Sequence, residues 1–252
     1  MFKIIPLTVI VIVLPLYFWR IFYPVTDWAI ISLVFLATFL ILGIFFSSAS
    51  LFRTQLEVAV RATSPHKKWF TGRLQAGLKA IAFASFAIPI LGWQAVTVPI
   101  EVATGLVLLC VFASGMTVLS ERFLENLLTT PFARVSGGYI GTTVSIFVFI
   151  PVLVWINLSM VAYPVELKTL SWSEMVLVSQ NELPERRGWI SEFLSIFYAL
   201  EYSKLWLVIQ LGSSRWATIL YSLDTALGGI VLARASAVLS NYLRHLIGDQ
   251  RK

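Results

Sequence analysis

The chain has 252 residues, of which 58% are hydrophobic, 14% aromatic and only 13% charged, with a mean hydropathy of +0.83. That balance excludes an ordinary soluble domain of this length. The net charge of +6 comes with no recognisable nucleic-acid reading module, so nucleic acid is not expected as a partner; the basic residues suit topology determinants and contacts with membrane lipids through anionic headgroups.

The first apolar run, residues 4–23, follows Lys3 and ends in Tyr17-Phe18-Trp19-Arg20. A secretory signal would end in a small-residue cleavage site, whereas this bulky ending reads as an interfacial anchor, so an uncleaved first span is expected. A short turn with Pro24 and Asp27 leads to a second run, residues 28–52, long enough to span with tilt. Residues 1–52 therefore form a first transmembrane hairpin.

Residues 53–79 carry Arg53, Arg61, Lys67, Lys68, Arg73 and Lys79 against one acid, Glu57. Short loops rich in Lys and Arg stay cytoplasmic. Helical spacing of Leu56, Ala59 and Val60 against Arg53, Glu57 and Arg61 predicts an amphipathic interfacial helix, broken at Ser64-Pro65 and anchored by Trp69-Phe70. Within this segment Arg53, Arg61, Lys67, Lys68 and Arg73 are the candidates for contact with a partner or with lipid headgroups.

A second hairpin, residues 80–120, turns tightly at Pro99, with Glu101 suited to a helix N-terminus. Glu121, Arg122, Glu125 and Arg134 return the chain to the cytoplasm, and a fifth span covers 138–164. Gly137-x-x-x-Gly141 at its entry is a spacing at which two helices can approach closely. Asn157-Leu158-Ser159 matches a glycosylation sequon but falls inside this span, which makes the match accidental.

Residues 165–215 are mixed in charge and suit the outer face. Within them residues 189–211 are apolar and aromatic yet interrupted by Glu192, Glu201 and Lys204, which fits a surface-lying cap helix or a re-entrant segment better than a span. Glu201 and Lys204 stand at i, i+3 and can pair. The last span, residues 216–246, returns to the cytoplasm. The expected fold is all-α: a polytopic helical membrane protein of about six transmembrane helices, N- and C-termini cytoplasmic, in a bacterial inner membrane.

The last span holds the most unusual residues. A carboxylate at Asp224 within lipid is costly and normally faces protein interior or water. Helical spacing puts Asp224, Gly228 and Ala235 on one face, with Tyr221, Ser222 and Thr225 as nearby hydrogen-bond donors. The two alternatives are an ion or proton site and a structural carboxylate. Arg234, ten residues on, is about 15 Å away along the helix and cannot pair with Asp224; it either snorkels toward headgroups or meets an acid elsewhere. Gly229-x-x-x-Ala233-x-x-x-Ala237 is a close-packing stripe, and Gly228-Gly229 could act as a hinge. Asp224, Thr225, Gly228, Gly229 and Arg234 are thus the polar intramembrane candidates.

No catalytic, cofactor-binding or metal-ligating set is expected. His66 and His245 both lie in basic segments, Cys110 is a lone packing residue, and no Gly-x-Ser-x-Gly, His-Glu-x-x-His or phosphate-binding glycine loop occurs. The order of residues 189–215 followed by a glycine-hinged helix has the broad plan of six-span cation channels. A Thr-Val-Gly-Tyr-Gly filter and a fourth-span arginine ladder are both missing. Two functions follow. The first is a non-catalytic inner-membrane subunit, a scaffold or sensor in a homo- or hetero-oligomer, docking a cytoplasmic partner through residues 53–79. The alternative is an oligomeric channel-like or transport component with a polar path around Asp224.

Overall fold

A chain this apolar must satisfy its backbone hydrogen bonds within its own helices wherever lipid surrounds it. In the computed structural model, which describes residues 3–59, 72–160, 170–181, 188–211 and 215–249, every described element is helical and no strand occurs. The helices are α1 (Ile4–Phe22), α2 (Ile30–Ala59) after a 3-10 turn at Asp27–Ala29, α3 (Arg73–Thr97) and α4 (Ile100–Glu125). They continue with α5 (Thr130–Met160), α6 (Trp172–Asn181), α7 (Trp189–Gln210) and α8 (Arg215–Asp249). Six of them, α1 to α5 and α8, contain stretches long and apolar enough to cross a membrane.

Two hydrogen bonds fix the levels of the bundle. Thr8 and Ser240 share a buried hydroxyl pair at 3.2 Å, so the start of α1 lies beside the last third of α8. Trp19 Nε1 donates to the Gly92 carbonyl at 2.9 Å, so the end of α1 lies beside the end of α3. The two termini of the bundle therefore lie at one end, called the terminal end below, and the turns after α1 and α3 lie at the other.

Side chains sort opposite to a soluble protein. Small residues such as Ala76, Ala80 and Ala84, one per turn of α3, are buried, while Phe86, Phe147 and Trp155 point outward. Close backbone approach through small residues is how helices gain packing energy when the surrounding lipid is as apolar as the core. α8 is the centre of this arrangement: 78% of its apolar stretch is buried, against 44% or less in each other candidate span. It touches α1, α2, α3, α4, α5 and α7.

Several boundaries differ from the sequence expectation. α2 continues without a break to Ala59, so Arg53 belongs to the end of a long helix and not to a separate amphipathic one. Of the basic segment, residues 60–71 lie outside the described residues. Gly72 precedes α3 with φ 69°, a left-handed conformation that only glycine adopts without strain. α5 begins at Thr130, eight residues before Gly138; Pro131 falls in its first turn, where a missing N–H costs nothing.

α6 was not anticipated. Ser171 and Glu174 form a reciprocal capping box at its start: the Ser171 N–H donates to Glu174 Oε2 at 2.7 Å and the Glu174 N–H reaches Ser171 Oγ at 3.4 Å. The Ser171 N–H, and the Ser171 hydroxyl donating to the same Oε2 at 2.8 Å, hold the Glu174 carboxyl below its ordinary value. A depressed folded-state value means that the cap stabilises α6 fully above the unfolded pKa, about 4.3, and is lost as pH falls through the folded value. Amide protection in the first turn of α6, measured relative to the intrinsic exchange rate at each pH, should therefore fall on acidification, and Glu174→Gln should flatten that pH dependence.

α7 carries Ile190, Leu194 and Tyr198 onto Trp19, Leu33 and Trp93, forming a second core at the end opposite the termini. Its Leu205 packs on Met175 of α6. The anticipated Glu201–Lys204 pair is present on this helix at 2.9 Å.

Candidate functional site

The interior of the bundle is organised by the polar and small residues of α8, which between them meet α1, α3, α4 and α5. Ser222 accepts from Asn157 Nδ2 of α5 at 3.3 Å. Gly228 is the notch into which the Gln94 side chain of α3 fits; a Cβ added there would overlap the Gln94 amide. Gly229 meets Leu109 of α4 and Leu153 of α5. Ser236 donates to the Cys110 sulfur of α4 at 3.0 Å, and Ser240 pairs with Thr8 of α1. Asn241 Nδ2 donates to the Arg134 carbonyl of α5 at 3.1 Å. Polar groups in an apolar interior are costly unless bonded, so these contacts also fix the register of α8 against its neighbours.

At the terminal end the series finishes in ion pairs. Glu121 of α4 is 1% exposed and faces two guanidinium groups: Arg244 Nη1 of α8 lies 2.9 Å from Oε2, and Arg134 Nε of α5 lies 3.5 Å from Oε1. Arg244 Nη2 also donates to Glu125 Oε1 at 2.7 Å. Gly137 makes this possible, because its bare Cα allows α5 to lie against the Glu121 backbone, 2.7 Å from where a Cβ would stand.

The sequence candidates fall into three groups. Gly228 and Gly229 are brought to the bundle interior, and Thr225 and Arg234 are half-buried on the same helix. Arg53 lies near the end of α2, and Arg73 is the exposed first residue of α3. Arg61, Lys67 and Lys68 lie outside the described residues. Asp224 is within α8, with its side chain outside the description. Arg234 does not leave the bundle: its guanidinium lies 4.1 Å over the Tyr139 ring of α5, and it lines a cavity with Lys79.

Sequence reasoning used Glu121, Glu125 and Arg134 only as charges that return the chain to the cytoplasm. The structure makes them, with Arg244, the joint between α4, α5 and α8. The available signal was the Glu121-x-x-x-Glu125 spacing, which puts two acids on one helical face, followed by the Gly137 close-approach site. Gln94 and Asn157 were missed as well. The sequon Asn157 spends its amide on Ser222 inside the bundle and is 4% exposed.

Among the described residues no group of three His, Cys, Asp or Glu side chains could hold a metal ion. Cys110 is fully buried beneath the Ser236 hydroxyl. A maleimide added to the folded protein should leave it unlabelled, with full labelling after denaturation; labelling of the folded chain would show that α4 and α8 separate readily.

These features define an all-helical bundle of six candidate spans held around one central, polar helix. No family model, curated protein or solved structure matches the chain significantly.

Proposed function

We propose that this chain is a non-catalytic, multi-pass subunit of a bacterial inner-membrane complex, acting as a scaffold or sensor and docking a cytoplasmic partner through residues 53–79. The observation that carries the reading is the use of α8. Its small and polar residues are engaged by α1, α3, α4 and α5. A helix that lines a pore needs a polar face left open to water, and the face offered by Gly228 and Ser236 is filled by Gln94 and Cys110. What the fold leaves for interaction is its ends.

Sidedness follows from charge. Among the described residues the terminal end carries Lys3, Arg53, Arg73, Lys79, Arg122, Arg134 and Arg244 against Glu121 and Glu125, whereas the opposite end has Arg20 and Lys204 against Asp27, Glu101, Glu192 and Glu201. The excess of Lys and Arg supports a cytoplasmic terminal end, which a reporter fused to the C-terminus should verify by folding and functioning in the cytoplasm.

The deciding experiment is affinity purification of the full chain from membranes, compared with a variant in which Arg61, Lys67, Lys68 and Arg73 are all replaced by Gln. The wild type should retain a cytoplasmic protein that the variant loses, and Asp224→Asn should leave ion flux into proteoliposomes unchanged. Flux through the wild type that Asp224→Asn abolishes would overturn the scaffold in favour of a conducting oligomer.

A further inference from the structure

A cavity of about 250 Å³ lies toward the terminal end, between α2, α3, α5 and α8. Three larger cavities, between α1, α3 and α4, between α2, α3 and α7 and between α1 and α2, have predominantly apolar linings. This one is lined by Lys79, Arg234, Tyr139, Asn241, Ser47 and Ser48 among its apolar walls.

Its charge is uncompensated among the described residues. Arg134, Arg244 and Lys204 each have a carboxylate within 4 Å. Among the described residues, Arg234 and Lys79 have none. Among the described residues the partner of Arg234 is the Tyr139 ring, 4.1 Å from the guanidinium carbon. A ring face attracts the charge but does not replace the hydrogen-bond acceptors that five N–H donors require. Two cations on the wall of one small cavity, one of them half-buried, are expensive unless an anion or water completes them. Ser48 is buried on the same wall, and its hydroxyl makes no bond to another described residue, which leaves it available as a donor. Planar guanidinium, point-charge ammonium and hydroxyl are together the donor set that recognises a phosphate group.

We propose that this cavity binds a phosphate ester, carried either by an anionic phospholipid headgroup entering between the helices or by a soluble phosphate compound from the terminal-end side. Phosphate oxygens take the Arg234 and Lys79 donors, and the Tyr139 ring holds the guanidinium in place. This assignment does not rest on the docking role: Lys79 is the last residue of the 53–79 segment, but none of the four residues replaced in the docking test, Arg61, Lys67, Lys68 and Arg73, lines the cavity.

The test is native mass spectrometry of the purified full chain with phosphatidylglycerol, phosphatidylcholine or glycerol 3-phosphate. Wild type should retain phosphatidylglycerol at least about fivefold better than phosphatidylcholine, the contribution expected of one cation near a membrane surface. Lys79→Gln, an exposed position that leaves the core intact, should lower that preference about fivefold, Arg234→Gln should lower it further, and Arg234→Lys should restore most of it. Glycerol 3-phosphate that binds wild type and displaces the lipid would assign the site to a soluble ester; failure to displace assigns it to the headgroup. A preference for phosphatidylglycerol that survives both Lys79→Gln and Arg234→Gln, or binding of neither phosphate source, overturns the proposal.

Discussion

Glu121→Ala is expected to destabilise the bundle by roughly 3–5 kcal/mol, the range found when one partner of a buried ion pair is removed. The carboxylate is 1% exposed and stands between Arg134 and Arg244. Deleting it leaves two guanidinium groups facing each other across the joint of α4, α5 and α8, with Glu125 available to Arg244 alone. Glu121→Gln should cost less, because it keeps the shape and one acceptor while losing the charge. Arg244→Ala should cost less again, since Arg134 remains to compensate the carboxylate. Equilibrium unfolding of the purified protein in detergent measures all three. If Glu121→Ala falls within about 1 kcal/mol of wild type, the value of an exposed pair, the joint is solvated and contributes little. A triple comparison with Glu121→Ala/Arg244→Ala separates the pair from its surroundings: removing both partners should be less costly than the sum of the single changes.

The spans were legible because each carries a long apolar stretch that nothing but lipid or a core explains, and the central place of α8 was legible from the four-residue spacing of Gly229, Ala233 and Ala237. The helix ends were not. Residues 53–59 and 130–137 intersperse polar, charged and small residues with Leu56, Val58, Phe132 and Val135, so a continuous hydropathy run stops there, whereas the helical hydrogen bonds run on. α6 has only ten residues, too few for periodicity to mark, and its one sequence signal was the capping box. The ion-pair joint and the cationic cavity were hidden for a different reason. Glu121 and Arg244 are 123 positions apart, and the cavity wall is drawn from four helices. Charge written along the chain could not tell a solvated loop from a buried partner. Arg234 shows the limit plainly: its stacking on an aromatic ring of α5, 4.1 Å from the guanidinium carbon, joins residues 95 positions apart and left no mark in the local pattern.

Close packing of α4 on α5 yields the sharpest contrast between substitutions of one chemical kind. A Cβ on Gly141 would stand 2.6 Å from Thr117 N and 2.7 Å from its Cα, and one on Gly137 would stand 2.7 Å from Glu121 N and Cα. These neighbours are backbone, which cannot rotate aside, so the helices themselves must separate. Overpacking of this kind costs about 1–3 kcal/mol, occasionally more, partly offset by the roughly 1 kcal/mol that alanine gains over glycine in a helix. Gly141→Ala and Gly137→Ala should each therefore be net destabilising. Both press on one helix a single turn apart, so a bundle already parted by the first substitution has less to lose from the second, and the double variant should cost less than the sum. Gly77 of α3 has nothing within 4 Å of its added Cβ, and Gly77→Ala should stabilise by about 0.5–1 kcal/mol through helix propensity alone. Unfolding midpoints that move in opposite directions for Gly77→Ala and Gly141→Ala would tie the glycine pair to the helix contact; shifts of the same sign would mean that α4 and α5 are not held at backbone distance.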